Sequence, residues 1–212
     1  MPEVINKLDA IFLKLINVTW GNPKLDQAWV SISHLQRQQW FLYVVLPTLV
    51  MILFYIYGWR MIKPVVMTAL AVGLADAIAY RVVKALIVRP RPLLNPEIVS
   101  WLRVVGEAHG PSFPSNHATN CFAGAVILVW YFPRWRGLIY TFAALVAYSR
   151  IALGVHYPSD VIAGIILGSV VGSLVKIFLL NQIRWLDLHR TVSIKEPDSD
   201  DWRVRSRRLA DD

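Results

Sequence analysis

The chain has 212 residues, 56% hydrophobic and only 17% charged, with a mean hydropathy of +0.46 and a net charge of +8. A soluble domain carries about 25% charged residues, so this composition excludes a surface solvated all round, and equally a disordered, collagen-like or coiled-coil chain. The single cysteine, Cys121, excludes an intramolecular disulfide framework and a cysteine-cluster metal site.

In chain order, residues 1–37 come first. Val4, Leu8, Ile11 and Leu15 recur at helical spacing, with Lys7, Asp9 and Lys14 off that face. This predicts an amphipathic helix lying in a membrane interface. Lys14 interrupts the apolar run and no small-residue cleavage site follows, unlike a signal peptide. Asn22-Pro23 marks a turn, and Leu25, Trp29 and Ile32 suggest a second short interfacial helix. A sixth, tilted span from this region is the alternative.

Residues 38–182 read as a bundle of about five transmembrane helices. Residues 38–59 are 22 in number and carry no charge, enough to cross a bilayer core of about 20 residues. Further spans are predicted over 64–88, 118–132, 137–155 and 161–180. In the last, Gly164, Gly168 and Gly172 recur every fourth residue, a small stripe against which a neighbouring helix can pack closely. Between the second and third spans, Pro96 and Glu97 start a short amphipathic helix carrying Ile98, Trp101, Leu102 and Val105. The fold class is therefore all-α, an integral membrane bundle with interfacial helices at its N-terminus. Residues 183–212 form a charged tail, solvated from Ser193 onward.

Arg60 with Lys63, Arg134 with Arg136, and the basic tail all fall on one side of a five-span arrangement, which assigns that side to the cytoplasm. The same rule explains the net positive charge by loops and anionic lipid rather than nucleic acid.

Charged residues inside membrane segments are costly and point to function. Lys84, Arg89 and Arg91 end the second span, His117 opens the third, Arg150 ends the fourth, and His156 and Asp160 bracket the start of the fifth. All fall on the outward side. Arginine offers a planar fork suited to phosphate and lysine a point charge. Pro114-Ser115-Asn116-His117 reads as a turn into a helix N-terminus, which favours an anion. Ser115 is equally a plain N-cap. If a helix starts near Pro158, Asp160 lies in its first turn and reaches back to the His156 ring, fixing its tautomer. Arg89 either assists phosphate binding or snorkels. Asp76 is read as pairing with Arg81 or Lys84, His109 as solvated, and Cys121 as packing.

Three stretches together resemble the signature of the type-2 phosphatidic acid phosphatase superfamily. They are K-x(6)-R-P at Lys84, Arg91 and Pro92, P-S-N-H at Pro114 through His117, and S-R-x(5)-H-x(3)-D at Ser149, Arg150, His156 and Asp160. The family pattern usually has Gly where this chain has Asn116; Asn tolerates unusual backbone angles better than most residues. The resemblance implies that His156 attacks phosphorus and becomes a phosphohistidine. It implies that Asp160 orients the ring and that His117 protonates the leaving oxygen and then activates water. Lys84, Arg91, Arg150, Ser115 and the Asn116 backbone N–H would bind the non-bridging oxygens. No metal or cofactor is implied.

The expected protein is a metal-independent lipid phosphatase of a bacterial-type inner membrane, its site facing the periplasm or outside. Residues 38–182 would form its catalytic bundle, and its partners would be a lipid phosphate substrate and membrane lipids. Substrates of this class are undecaprenyl diphosphate, phosphatidic acid, phosphatidylglycerophosphate or a lipid A phosphate, and a bundle with little outside the membrane leans to the first. The alternatives are a phosphotransferase using the same intermediate, or a catalytically silent lipid-binding protein.

Overall fold

A computed structural model describes residues 3–35, 38–39, 41–106 and 109–194, and all regular structure among them is helical. The chain divides into two compact units, Met1–Val175 and Lys176–Asp212. The second is described as helix to Ile194; most of the predicted solvated tail lies outside the described residues.

Helix α1 (Glu3–Leu13) runs on through a π-helical turn, Lys14–Thr19. The predicted turn follows: the Asn22 side chain accepts from the Lys24 N–H at 3.0 Å and caps α2 (Pro23–Ser33). Gly58, at φ 57°, ends α3 (Leu46–Tyr57), and a tight turn leads into α4 (Ile62–Ala77). A π-helical segment and the single turn α5 (Lys84–Leu86) extend α4. There follow α6 (Pro96–Val99), α7 (Asn116–Tyr131), α8 (Arg136–Ala152) and α9 (Pro158–Ile194).

Helix α7 packs on both α4 and α8, and α2 packs on α8. Small side chains fill these contacts: Ala71, Ala75, Ala118, Ala123 and Ala143 are fully buried. Large apolar side chains point outward instead, including Tyr55, Leu138, Ile166 and Leu174. Burial in water would reverse that arrangement; a lipid surround removes the penalty for exposed Leu and Ile and leaves close backbone approach as the source of cohesion. The glycine stripe supplies such an approach. A Cβ at Gly164 would lie 2.6 Å from the Ser115 carbonyl and one at Gly172 2.8 Å from that of Ala123, with Gly168 tighter still on the Thr119 carbonyl. Gly168→Ala is expected to destabilise the protein by about 1–3 kcal/mol through overpacking, seen as a lower thermal midpoint in detergent. Gly73 lies inside α4 with open space around it, and alanine is the better helix former, so Gly73→Ala should hold or raise the midpoint.

One expectation needs correction: the short helix begun at Pro96 and Glu97 does not reach Val105. Only two helical stretches, Tyr43–Leu86 and Pro158–Asn181, are long and apolar enough to cross a membrane among the described residues. The third and fourth predicted spans appear as α7 and α8, of 16 and 17 residues, which at 1.5 Å per residue fall somewhat short of a bilayer core of about 30 Å. The amphipathic helix over Ile98–Val105 stops at Val99. Beyond it, Asn17 accepts from Arg103 N–H and donates to Arg103 O, both at 2.9 Å, and Val105 N–H bonds Leu153 O. Tertiary partners thus take the backbone groups that a longer helix needs. Helix α1 leaves its apolar stripe of Val4, Leu8 and Ile11 exposed and turns Asp9 inward beside Leu13.

Candidate active site

The chain leaves the helical conformation at Ile87 and reaches Arg91 and Pro92 in an extended stretch. Pro90 and Pro92 cannot continue a helix, and the break lets Lys84 and Arg91 converge from a helix end and a loop. Lys84 Nζ donates to Pro111 O at 2.7 Å. Arg91 uses its whole fork: Nε to Gly110 O at 2.9 Å, Nη2 to His109 O at 3.0 Å, and Nη1 to Val155 O at 2.8 Å. Nη1 also lies 3.1 Å from His156 Nε2. A cavity of about 420 Å³ is lined by Lys84, Arg91, Asn116, His117, Arg150 and His156. Six of the eight predicted site residues therefore share one wall, and Ser115 and Asp160 lie fully buried behind it.

A guanidinium only donates, so the contact from Arg91 makes Nε2 of His156 the acceptor and puts the ring proton on Nδ1. That nitrogen faces Asp160 Oδ2 and Ser112 Oγ, each at 3.5 Å. Burial pushes the His156 imidazole down to about 4, against the opposing pull of Asp160. Helix α9 begins at Pro158, as predicted, and places Asp160 in its first turn. Asp160 Oδ2 accepts from the Ser112 hydroxyl and from Tyr157 N–H, and Oδ1 accepts from Arg89 Nη1 at 2.7 Å. The carboxylate is thus fixed from four directions.

Arg89 neither snorkels nor lines the cation cavity. It is 7% exposed, stacks 3.9 Å over the Tyr157 ring, and bridges Asp160 to Asp9 of α1, with Nη2 2.6 Å from Asp9 Oδ2. Asp9 also accepts from Ser159 N–H at 2.8 Å. Sequence reading missed Asp9 and Ser112. Asp9, an acid on the inward face of an amphipathic helix, was the one available signal. It also missed His34 and Tyr80, which line the cavity; the His34 ring centroid is 6.4 Å from that of His117. His109, read as solvated, lines the cavity as well.

Arg150, 3% exposed, donates from Nη1 to the Ser33 hydroxyl of α2. Ser115 is the N-cap of α7 with no side-chain capping bond, and its Oγ has no hydrogen-bond partner among the described residues. Asn116 is the first residue of α7, and no residue other than glycine has a positive φ among the described residues. The substitution at this position therefore needs no unusual backbone. Its side chain is used instead: Asn116 and Asn120 both donate to Asp76 Oδ1 at 2.9 Å. This replaces the pairing of Asp76 with Arg81 or Lys84 expected from sequence. Among the described residues no three His, Cys, Asp or Glu side chains gather at metal-ligand spacing.

The helical bundle thus gathers three cations, two imidazoles and an anchored carboxylate around one cavity. The sequence profile of the PAP2 superfamily matches residues 61–184, more than half of the chain, and the chain belongs to that superfamily. It is 34% identical over 122 residues to the lipid A 4'-phosphatase of Porphyromonas gingivalis, a match covering 55% of this chain and 52% of that protein. It is 40% identical over 88 residues to the undecaprenyl-diphosphatase of Sulfolobus acidocaldarius, covering 41% of this chain and 38% of that protein. The chain thus spans about half or less of the length of these curated relatives. The structure resembles that of Aquifex aeolicus LpxE, with a TM-score of 0.62 and 27% identity over 79% of this chain and 94% of that one. It equally resembles the transmembrane PAP2-type phosphatidylglycerolphosphate phosphatase of Bacillus subtilis, with a TM-score of 0.64 and 27% identity over 85% and 88%.

Proposed function

We propose that this protein is a membrane lipid phosphatase that works through a phosphohistidine at His156. The observation that carries this reading is the Nε2 of a buried His156 turned towards Arg91 in a cavity shared with Lys84, His117 and Arg150. The Nε2 lone pair forms the N–P bond as the P–O bond to the lipid alcohol breaks, and His117 gives that oxygen its proton. His117 then takes a proton from water, which attacks phosphorus, releasing phosphate and restoring the imidazole. Phosphoryl transfer of this kind needs mainly positioning and charge stabilisation. Lys84, Arg91 and Arg150 supply the charge, with Ser115 Oγ and the Asn116 N–H at the start of α7 as further donors.

The bundle sits in the membrane as five spans, α7 and α8 crossing at slightly less than full length, with α1 and α2 in the outer interface and the cavity opening outward. The apolar exterior, the alanine-lined interior and the basic loops on the opposite side support this placement. No metal or cofactor takes part. The test is phosphate release by the purified protein in detergent from a panel of lipid phosphates, with a chelator present. Release from one or more is expected; no release from any, by a folded sample, overturns the reading.

The pH profile carries a second expectation. The acid limb of kcat/KM due to His156 should lie near pH 4 rather than at the 6.5 of a free imidazole. Folding follows with a fixed sign. Between about pH 4 and 6.5 the unfolded chain binds a proton at this position that the folded chain does not. The His156 contribution therefore lowers stability as pH falls through that window and leaves it flat above. A limb at 6.5 in steady-state kinetics would contradict the neutral buried ring.

A further inference from the structure

Beside the cation cavity lies a second one of about 440 Å³, and Asn116 and His117 line both. Ile32, Val72, Phe142 and Val146 make much of its wall apolar. Into this setting α4 brings Asp76 and α7 brings Asn116 and Asn120. A carboxylate accepts and cannot donate. Both amides must therefore turn their NH₂ groups towards Asp76, which they do at 2.9 Å, and their carbonyl oxygens away from it. Those two oxygens are buried and have no hydrogen-bond partner among the described residues. The cluster is thus a set of acceptors held in a fixed orientation at the edge of an apolar cavity. Buried acceptors left unmet are costly, and the group that meets them must be a donor.

We propose that this second cavity receives the alcohol portion of the lipid phosphate. The Asp76–Asn116–Asn120 cluster selects alcohols that carry a hydroxyl or amide N–H close to the phosphorylated carbon. The proposal rests on the phosphatase reading and names its substrate class. In-line displacement puts the leaving oxygen opposite His156, on the side of His117, and His117 opens onto this second cavity. The first few atoms of the leaving alcohol therefore pass Asn116. A lipid phosphorylated on a glycerol headgroup with a free hydroxyl, or on an amino sugar, offers a donor there. Phosphatidic acid and prenyl chains offer none. A diphosphate would bring a second group that only accepts, and an anion, up to the Asp76 carboxylate and two amide oxygens. This reverses the leaning towards undecaprenyl diphosphate that the sequence suggests. It also gives Asn116, where the family pattern usually has Gly, a side-chain role that glycine cannot fill.

The experiment compares kcat/KM for phosphate release from four lipids in one detergent. Phosphatidylglycerophosphate and a lipid A monophosphate carry the donor; phosphatidic acid and undecaprenyl diphosphate lack it. The better donor-bearing lipid is expected to exceed both others by roughly tenfold or more, modest beside what sites built to bind a hydroxyl achieve. Asp76→Asn and Asn120→Ala, checked by thermal midpoint for folding, should bring that ratio to within about threefold, the loss falling on the donor-bearing lipids. The proposal is overturned if phosphatidic acid or undecaprenyl diphosphate is the best substrate, or if the variants lower all four rates alike. Wild-type protein that releases phosphate from none of the four overturns the phosphatase reading itself, and the proposal with it.

Discussion

Replacing His156 with alanine is expected to lower phosphate release from the best lipid substrate by about 10⁴-fold or more, the scale seen when a nucleophile or its base is removed. The loss should appear in kcat, with folding unchanged, because the ring is packed among polar neighbours whose own bonds survive. Arg91 keeps its bonds to Gly110, His109 and Val155, and Asp160 keeps those to Arg89, Ser112 and the Tyr157 N–H. Asp160→Asn should retain a measurable fraction of the rate, since the nucleophile stays and only its orientation weakens. Single-turnover kinetics with ³²P-labelled substrate separate the two cases. Wild-type protein quenched in mid-reaction should carry acid-labile, alkali-stable label, and His156→Ala should carry none. A His156→Ala protein with near wild-type turnover would end the mechanism.

The largest expected effect on folding is at Arg89, outside the three motifs as residue patterns. Arg89 is the shared cation of two carboxylates, Asp9 at 3% and Asp160 at 0% exposure. Removing one partner of a buried pair leaves an uncompensated charge and costs about 3–5 kcal/mol. Arg89→Ala does this twice and should lower the thermal midpoint in detergent more than any single change in the cation cavity. Arg89→Lys keeps one charge but not the fork, which spans Ser159 and Asp160 from Nη1 and Asn6 and Asp9 from Nη2. It should fold and yet turn over slowly. Asp9→Asn should be milder in stability, since Arg89 keeps Asp160. A midpoint for Arg89→Ala equal to that of wild type would mean that the bridge between α1 and α9 contributes nothing.

Charge pairing over long separations explains most of what sequence reading missed. Asp9 and Arg89 are 80 residues apart, and Ser112 and Asp160 are 48 apart. Neither pair has a local signal, because the spacing that makes them neighbours is set by how α1, α9 and the loop before α7 pack. Asp76 shows the same limit in reverse. Local spacing offers Arg81 and Lys84 as partners, whereas the packing of α4 against α7 offers Asn116 and Asn120. The helix expected beyond Val99 fails for a related reason, since Asn17 and Leu153 take the backbone groups of Arg103 and Val105.

The helical class, the start of α7 at Ser115-Asn116, the start of α9 at Pro158, and the residues that meet at the cation cavity were all legible in the residue pattern. Each of these rests on short-range physics: apolar runs long enough for a helix, proline and N-cap positions that end or begin one, and i,i+4 placement of Asp160 behind His156. Which nitrogen of His156 faces Arg91 came from the packing alone, since it depends on where Arg91 arrives from a separate loop. The tertiary structure likewise decided that Arg89 anchors Asp160 to the N-terminal helix, and that Asp76 turns two amide oxygens away from itself beside His117. In an apolar interior each buried polar group must find its partner wherever the fold brings one, and chain distance carries no information about which partner that is.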